Sequence, residues 1–496
     1  MPKPSHRILY NQDCTNLFMV TKEPITPEHV DRMVDEVADG GADVFLANPQ
    51  SQRCCYPSRV WQTFWDGYTQ GDVAFLGVPD VDGNGHARRI HLLNQMKRLA
   101  GQCDYLERTL SRCRKRGIVP GVSVRMNDIH DGNHLESHMH TDFYKNNPQY
   151  RLPGVPASPA HCPFDYEHRE VREYFLLLIR ELAEKYDTEL VELDFTRSAE
   201  YFRRDGRMEE HCRTLTGFIG EVRKLFDATG RKIDLIVRIA STPAKAKALG
   251  LDVKMLAENG LIDGVTPSQY LQSAWEMPIK RFRRLVGEEV AIYPACDAIR
   301  AVEGYPGEFI SEDREMLRGF AAGYLALGAD GINIFNFFCA REWGDPAKQP
   351  DFDAFHEMQD LQSLRRLPRR HLVTAPARVA NAFECDLPHQ TPTVLAHGQS
   401  RGFKILACDG TPQLKAELLV AVEGTDDCKD IWAYLNDTPL GSAEEMMPIS
   451  DTPSCTALFY VPNNAVQDGW NEVVVRAENS TVTIHGLEIC FSEEIS

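Results

Sequence analysis

Short apolar runs along the chain alternate with longer stretches in which apolar residues recur every three or four positions. Strand-like runs fall near Arg7–Asn11, Asp43–Asn48, Val119–Arg125, Glu189–Phe195, Ile233–Ile239, Leu261–Thr266, Val290–Pro294 and Gly331–Phe335. Helical patterns fill the intervals. Pro27–Gly40 opens after Thr26 as its N-cap, and Ile90–Gly117 and His168–Tyr186 are long and amphipathic. Repeated β/α units predict a parallel sheet, and eight of them are the number that closes a (β/α)8 TIM barrel. A Rossmann-like doubly wound sheet is the competing architecture, but no strand is followed by a GxGxxG turn. From about His371 the pattern changes to short strands separated by turn residues: Phe403–Ala407, Ala416–Val422, Ile431–Leu435, Ala457–Val461, Glu472–Arg476 and Thr481–Cys490. These predict an antiparallel β-sandwich, with turns at Asn436-Asp437 and Gly469-Trp470-Asn471. The expected domains are residues 1–370 and 371–496, joined through the Arg-rich Leu364–Arg370.

Within the barrel pattern the fourth strand is chemically two-faced. As an extended segment, Glu189–Arg197 sends Leu190, Glu192, Asp194 and Thr196 to one side and Val191, Leu193 and Phe195 to the other. Two carboxylates on one face of a central strand are costly to bury without partners, and the C-terminal ends of barrel strands are where enzymes place such groups. Asp194 is therefore the first catalytic candidate. A solvated face with Arg197 as an ion-pair partner is the plain alternative.

The third strand runs out through Arg125, Asn127, Asp128 and His130, a set able to hold hydroxyls and move protons next to Asp194. An Asx turn, with Asn127 and Asp128 bonding their own backbone, accounts for the same residues structurally. Asp297 closes the seventh strand, while the eighth gives Asn333 and is followed by Asn336 and Glu342. Asp128, Asp297 and Glu342 are thus the carboxylates that could act opposite Asp194, and hydrolysis of a glycosidic bond needs such a pair. Glu192, Arg238, Gln269 and Tyr270 are expected to position substrate, although Arg238 can equally pair inside the barrel with Asp194 or Glu192.

Two connections are far longer than usual. Pro49–Arg89 carries Tyr56, Trp61, Phe64, Trp65 and Tyr68, and Asn127–Glu167 carries His130, His134, His138, His140, Phe143 and Tyr144. Trp61, Trp65, His130 and Tyr144 are candidates to touch sugar, since aromatic faces stack on sugar rings. The same side chains could instead pack the insertions onto the barrel.

Lys and Arg total 54 against 72 for Asp and Glu, and the net charge of −18 disfavours nucleic acid and anionic membranes as partners. No signal-peptide core or membrane-spanning run is visible, so a soluble, cytoplasmic protein is expected unless a leader precedes it. The 14 cysteines, Cys54-Cys55 among them, form neither a disulfide framework nor a CxxC pair. No metal or other cofactor is expected, and a homo-oligomer stays open.

The order Arg125-Met126-Asn127-Asp128-x-His130, Asn147-Pro148-x-Tyr150, His168-Arg169-Glu170-Val171-Arg172 and Val191-Glu192-Leu193-Asp194-Phe195-x-Arg197 resembles bacterial (β/α)8 glycosyl-hydrolase-like (family-10-like) proteins of unassigned specificity. The resemblance covers Arg7 to Arg365 and implies a carbohydrate-active barrel with Asp194 and Asp128 in its site. It departs from the commonest barrel glycosidases in having no Asn-Glu pair after the fourth strand and no Glu after the seventh. A glycoside hydrolase with a carbohydrate substrate is the resulting expectation. Its rivals are a metal-dependent hydrolase built on His134, His138 and His140 and a sugar-binding barrel without catalysis.

Overall fold

The computed structural model describes all residues except 1–3, 81–82, 84, 154–161, 198, 271, 298–312, 344–348, 375–386, 388, 451, 463 and 494–496. Its first sheet is entirely parallel: β1 (Ile8–Gln12), β2 (Val44–Ala47), β3 (Val119–Arg125), β4 (Leu190–Asp194), β5 (Asp234–Ala240), β6 (Gly264–Ser268), β7 (Ala291–Ile292), β8 (Ala295–Asp297) and β9 (Ile332–Phe335). The strand order is β7-β6-β5-β4-β3-β2-β1-β9-β8. The segments β7 and β8 are two halves of one stave. β7 pairs with β6 and β8 with β9. At the break, Tyr293 N donates to Val265 O at 2.9 Å and Asn333 N donates to Pro294 O at 3.1 Å. Pro294 has no N–H to give the ladder, which interrupts the stave without opening the barrel. The eight expected strands are all present, within three residues at every boundary.

The predicted helix Ile90–Gly117 is two helices, Gly85–Ala100 and Tyr105–Arg116. Asp104 makes the break by accepting from Leu106 N and Glu107 N, an N-cap that starts a new helix in a different direction. Tyr105–Arg116 then lies beside Pro27–Asp39. Arg108 bonds Asp31 at 2.6 Å, Arg112 bonds Asp35 at 2.5 Å and Arg116 bonds Asp39, so ion pairs repeat at every turn of both helices. No helix among the described residues is long and apolar enough to cross a membrane.

Inside the barrel the lowest layer is apolar: Leu9, Val44, Leu46, Leu190, Ile236 and Tyr293 pack together. Gly121 makes room for them, since a Cβ there would come within 2.8 Å of the Leu46 side chain. The opposite strand faces, with Ile8, Tyr10, Val191, Leu193, Val237 and Ile334, form the main core under the helices. This partition is the period-two alternation of the sequence made solid.

The C-terminal region has β10 (Arg369–Leu372), β11 (Thr393–Leu395), β12 (Ser400–Ala407), β13 (Leu414–Glu423), β14 (Ile431–Leu435), β15 (Thr438–Ser442), β16 (Glu445–Pro448), β17 (Ser454–Val461), β18 (Gly469–Ala477) and β19 (Val482–Glu493). They form two antiparallel sheets, β10-β19-β13-β17-β16 with β11 on β19, and β12-β18-β14-β15, around a separate apolar core. Asn436-Asp437 is the expected hairpin turn, with Asn436 at φ 46°. Gly469–Asn471 is not a turn but the start of β18, where its pairing with β12 overrides the local turn preference.

The Arg-rich segment expected as a join is partly structural core. Arg369 is fully buried, gives its guanidinium protons to the carbonyls of Leu364, Leu367, Cys408 and Asp409 and lies 4.0 Å from the Phe491 ring centroid. Arg370 bridges Asp313 at 2.9 Å and Glu488 at 2.6 Å, linking a barrel helix start to β19. Helix Arg314–Ala326 meets β10 so closely that a Cβ at Gly319 would sit 1.8 Å from Arg370 O. Gly319→Ala is therefore expected to force the helix and β10 apart and destabilise the protein by about 2 kcal/mol or more. Denaturant unfolding checks this, and an unchanged midpoint would show that the contact yields freely.

Candidate active site

Above the apolar layer the barrel interior turns polar. Glu192, fully buried on β4, accepts from Asn11 Nδ2 at 3.0 Å and Ser123 Oγ at 2.8 Å on one oxygen, and from Asn333 Nδ2 at 3.0 Å on the other. These donors come from β1, β3 and β9, so one carboxylate ties three other staves together. Burial raises the Glu192 carboxyl to about 7, with the neighbouring Asp194 adding to the rise and Arg238 opposing it.

Asp194 stands one layer higher, at the end of β4, in register with Arg125 on β3 and Arg238 on β5. One of its oxygens accepts from Thr196 N at 2.8 Å and Thr196 Oγ1 at 2.6 Å, and the other lies 3.4 Å from Arg238 Nη1. Arg238 is itself buried completely. It bonds Ser268 Oγ at 2.8 Å, and its guanidinium carbon lies 3.5 Å from the Phe335 ring centroid. Its pairing with Asp194 is the internal ion pair weighed for it above.

The residues after β3 form a second knot. Arg125 does not face Asp194 with its charge; it bonds Asp13 and, at 3.0 Å, Asp128. Asp128 also accepts from Ser51 Oγ at 2.9 Å, His130 N at 3.0 Å and His130 Nδ1 at 2.5 Å. Burial works against the charge of Asp128, but His130, Arg125 and Arg197 together hold it well below the usual carboxylate range. Asp13 is lowered in the same way, chiefly by Arg125 and then by Arg197, against the cost of burial. The bond from His130 N to Asp128 is the Asx-type turn of the plain alternative. Asn127 goes elsewhere: it donates to Phe164 O and Glu200 O and accepts from Phe164 N, pinning two loops. Asp13 and Ser51 were missed in the sequence. The position of Asp13 directly after the first strand was the available signal.

Arg197, 7% exposed, lies with its guanidinium carbon 5.1 Å from the Tyr270 ring centroid and 3.3 Å from His130 Nε2 by its Nη2. Tyr270 is pushed up to about 12 by burial, with Arg197 and Arg125 opposing and Asp128 and Asp297 adding, so both acids lie within electrostatic reach of it. Asp297 is buried at the end of β8, its carbonyl accepting from Ser273 Oγ at 2.6 Å. Asn336 is a left-handed turn residue after β9, φ 56°, buried to 4% exposure. Glu342 lies in helix Cys339–Trp343 and lines a groove with Lys22, Arg88 and His91; burial and then Asp13 raise it to about 7.

The loop aromatics largely take the packing alternative. Trp61 stacks on Tyr174 at 4.1 Å and 14°, donates to Tyr174 O, and is 6% exposed, which fixes the first insertion to helix Arg169–Lys185. Tyr144 is 2% exposed, donates to Cys162 O and stacks on His140. Trp65 is half-buried against the cluster of Cys14, Phe18, Phe64 and Leu93 under the cap. Only His130 of the four sits in the charged knot. His138 and His140 bond the separate backbone carbonyls of Leu76 and Asp131, and burial takes His138 down to about 4. No group of three metal-ligating side chains converges among the described residues.

Taken together, this is a (β/α)8 barrel with a polar mouth, followed by a β-sandwich. No family model matches the chain, and no curated protein matches it. Among solved structures the chain is similar to alpha-L-fucosidase isoenzyme 2 from Paenibacillus thiaminolyticus, at 10% identity and TM-score 0.42, over 71% of this chain and 48% of that one. It is also similar to the PgaB (BpsB) glycoside hydrolase domain from Bordetella bronchiseptica, at 12% identity and TM-score 0.44, over 72% and 99%. A third is the maltogenic alpha-amylase AmyB from Thermotoga neapolitana, at 10% and 0.42, over 97% and 99%. This chain spans about half the length of the fucosidase. Likeness at this level concerns the path of the chain and not its chemistry.

The raised Glu192 carboxyl has a definite pH consequence. A folded value of about 7 above an ordinary 4.5 means a stabilising contribution that is complete below about pH 4.5 and lost as pH rises through about 7. Glu192→Gln removes that titration, so the melting temperature of the variant relative to wild type should rise between about pH 5 and about pH 8. A difference that stays constant with pH would show that Glu192 keeps its charge in the fold.

Proposed function

We propose that the protein hydrolyses glycosidic bonds, with Asp194 supplying the negative charge that faces the reacting sugar carbon and Asp297 acting as its acid partner. The observation that carries this reading is the placement of these two carboxylates at the ends of the fourth and seventh staves of a closed eight-stave barrel. In a ring of eight, staves three apart stand one short of diametrically opposite, and cleavage of a glycosidic bond at the mouth would need the two carboxylates on either side of it. The donors on Asp194 come from Thr196 and Arg238, which fix the direction of its carboxylate. Asp297 gives a proton to the leaving oxygen, and water finally restores both groups, its hydroxyl going to the sugar carbon and its proton to the acid.

Asp128 suits a different task. Its four donor contacts and two nearby guanidinium groups make it a permanent anion, which is unsuited to proton donation but able to hold Arg125, Arg197 and His130 in place. Those cationic and imidazole groups, with the face of Tyr270, are the contacts for sugar hydroxyls and rings. Glu342, with its raised carboxyl, is the second candidate acid.

The experiment is a turnover assay on a panel of aryl glycosides and oligosaccharides. Asp194→Asn and Asp297→Asn should each lower kcat by about three orders of magnitude or more while leaving sugar binding nearly intact. Asp128→Asn should behave differently, costing about 3 kcal/mol of stability because it removes one of the two carboxylates that neutralise the buried Arg125 guanidinium. Retention of most activity by Asp194→Asn would sink the assignment, and binding without any turnover by wild type would favour the non-catalytic sugar-binding alternative.

A further inference from the structure

The loop that follows β6 is bonded at one end to the barrel mouth and at the other to the sandwich. Its first end is a turn closed by a bridge between Gln269 and Gln272, which holds Tyr270 against Arg197 and, at 6.4 Å between ring centroids, beside Phe335. Next along, Ser273 Oγ donates to Asp297 O at 2.6 Å, so the loop holds the backbone of the proposed acid. Its second end, Trp275 and Glu276, is bonded by residues of the sandwich.

Thr374 makes most of those bonds. It stands one residue beyond Val373, whose side chain belongs to the sandwich core and whose N–H donates to Leu487 O at 3.1 Å, continuing the pairing of β10 with β19. Its hydroxyl accepts from Trp275 N at 2.7 Å and donates to one oxygen of Glu276, while its N–H donates to the other at 2.8 Å. Gln390 Nε2 meets Glu276 at 3.4 Å, and Gln390 also bonds the N–H and the carbonyl of Lys404 on β12, at 2.6 and 2.7 Å. One sheet of the sandwich therefore reaches Glu276 through Thr374 and the other through Gln390. Between its two ends the loop has little freedom. Tyr324 OH donates to Ala274 O at 2.6 Å and accepts from Met277 N at 3.1 Å, and Trp275 packs edge-on against Phe320 with ring centroids 5.3 Å apart. Ser273, Trp275 and Thr374 are each 5% exposed, so their bonds are made out of water, where a lost partner is not replaced. A shift at Glu276 is thus carried back along the loop to Ser273 and the Asp297 backbone.

We infer that Glu276 and Thr374 are positioning residues for the acid side of the site, so that the sandwich, bonded to the loop through them, sets where Asp297 stands. The inference rests on the glycosidase reading for the role of Asp297, while the linkage of sandwich to mouth loop stands on its own hydrogen bonds. Displacing a catalytic group by about 1 Å costs up to about a hundredfold in rate. For a misplaced acid the loss falls on substrates whose leaving group must be protonated, because a leaving group stable as an anion departs without the acid.

The test is Thr374→Val in the full chain, which keeps the shape of the side chain and removes the hydroxyl. For the sugar that wild type cleaves, kcat on the methyl glycoside should fall about tenfold, and on the dinitrophenyl glycoside by less than about twofold. Thr374→Ser, which retains the hydroxyl, should bring the first value back to within about twofold of wild type. Hydrogen exchange read by mass spectrometry should show residues 272–278 and 291–297 exchanging about tenfold faster in Thr374→Val, with residues 123–130 and 190–197 unchanged. Should that variant fail to fold, Gln390→Ala, at a half-buried position, gives the same pattern with effects of about threefold. In a chain that turns substrate over, equal losses on the two glycosides, no loss on either, or faster exchange confined to the sandwich overturns the inference and leaves the glycosidase reading standing. Faster exchange at residues 291–297 that Thr374→Ser reverses, in a chain without turnover, upholds the linkage and defeats the glycosidase reading alone.

Discussion

Burying Glu192 in the middle of a closed barrel is the constraint on which the rest depends. A carboxylate removed from water is costly unless hydrogen bonds replace its hydration. Here the replacements come from Asn11, Ser123 and Asn333, one from each of three other staves. That single requirement sets the register of β1, β3, β4 and β9 relative to one another, because a one-residue slip of any of them would send its donor to the outer face. It also divides the interior into an apolar base, where Leu9, Leu46 and Tyr293 fill the space, and a polar upper half.

Above Glu192 the charges sort into two groups by how they are held. Asp13, Asp128, Arg125, Arg197 and His130 neutralise one another in a tight knot at the β1–β3 side, where an acid kept far below its normal range is a fixture and not a proton carrier. Asp194 and Arg238 form a looser pair, 3.4 Å apart, with the guanidinium stacked on Phe335. Buried ion pairs of this kind add little net stability, since desolvation offsets attraction, so the value of this one lies in the direction it gives both side chains.

The insertions are held by conventional packing. Trp61 on Tyr174 and Tyr144 on His140 anchor the long loops by stacked rings, and Arg53 reaches from the first insertion to His140 O in the second. Rigid insertions matter because Ser51, Asp128 and His130, which lie within them, can keep their geometry only if the loops do not drift.

Several features of this protein follow from sequence alone. The eight staves, the change to short strands near His371 and the inward direction of Glu192 and Asp194 follow from alternation with period two and from turn chemistry, which are local properties of the backbone. Asp297 and Asp194 could be placed at strand ends for the same reason. Tertiary structure alone decided what those residues face. Arg125 follows Asp13 and Asp128 instead of Asp194, Asn127 pins loops, and Trp61, Trp65 and Tyr144 pack against other segments, because each outcome depends on a partner outside its own strand or turn, from 18 residues away for Tyr144 to 113 for Trp61. The break of the seventh stave at Pro294 had a local signal, the missing N–H, but its consequence, one half pairing with β6 and the other with β9, exists only once the barrel has closed.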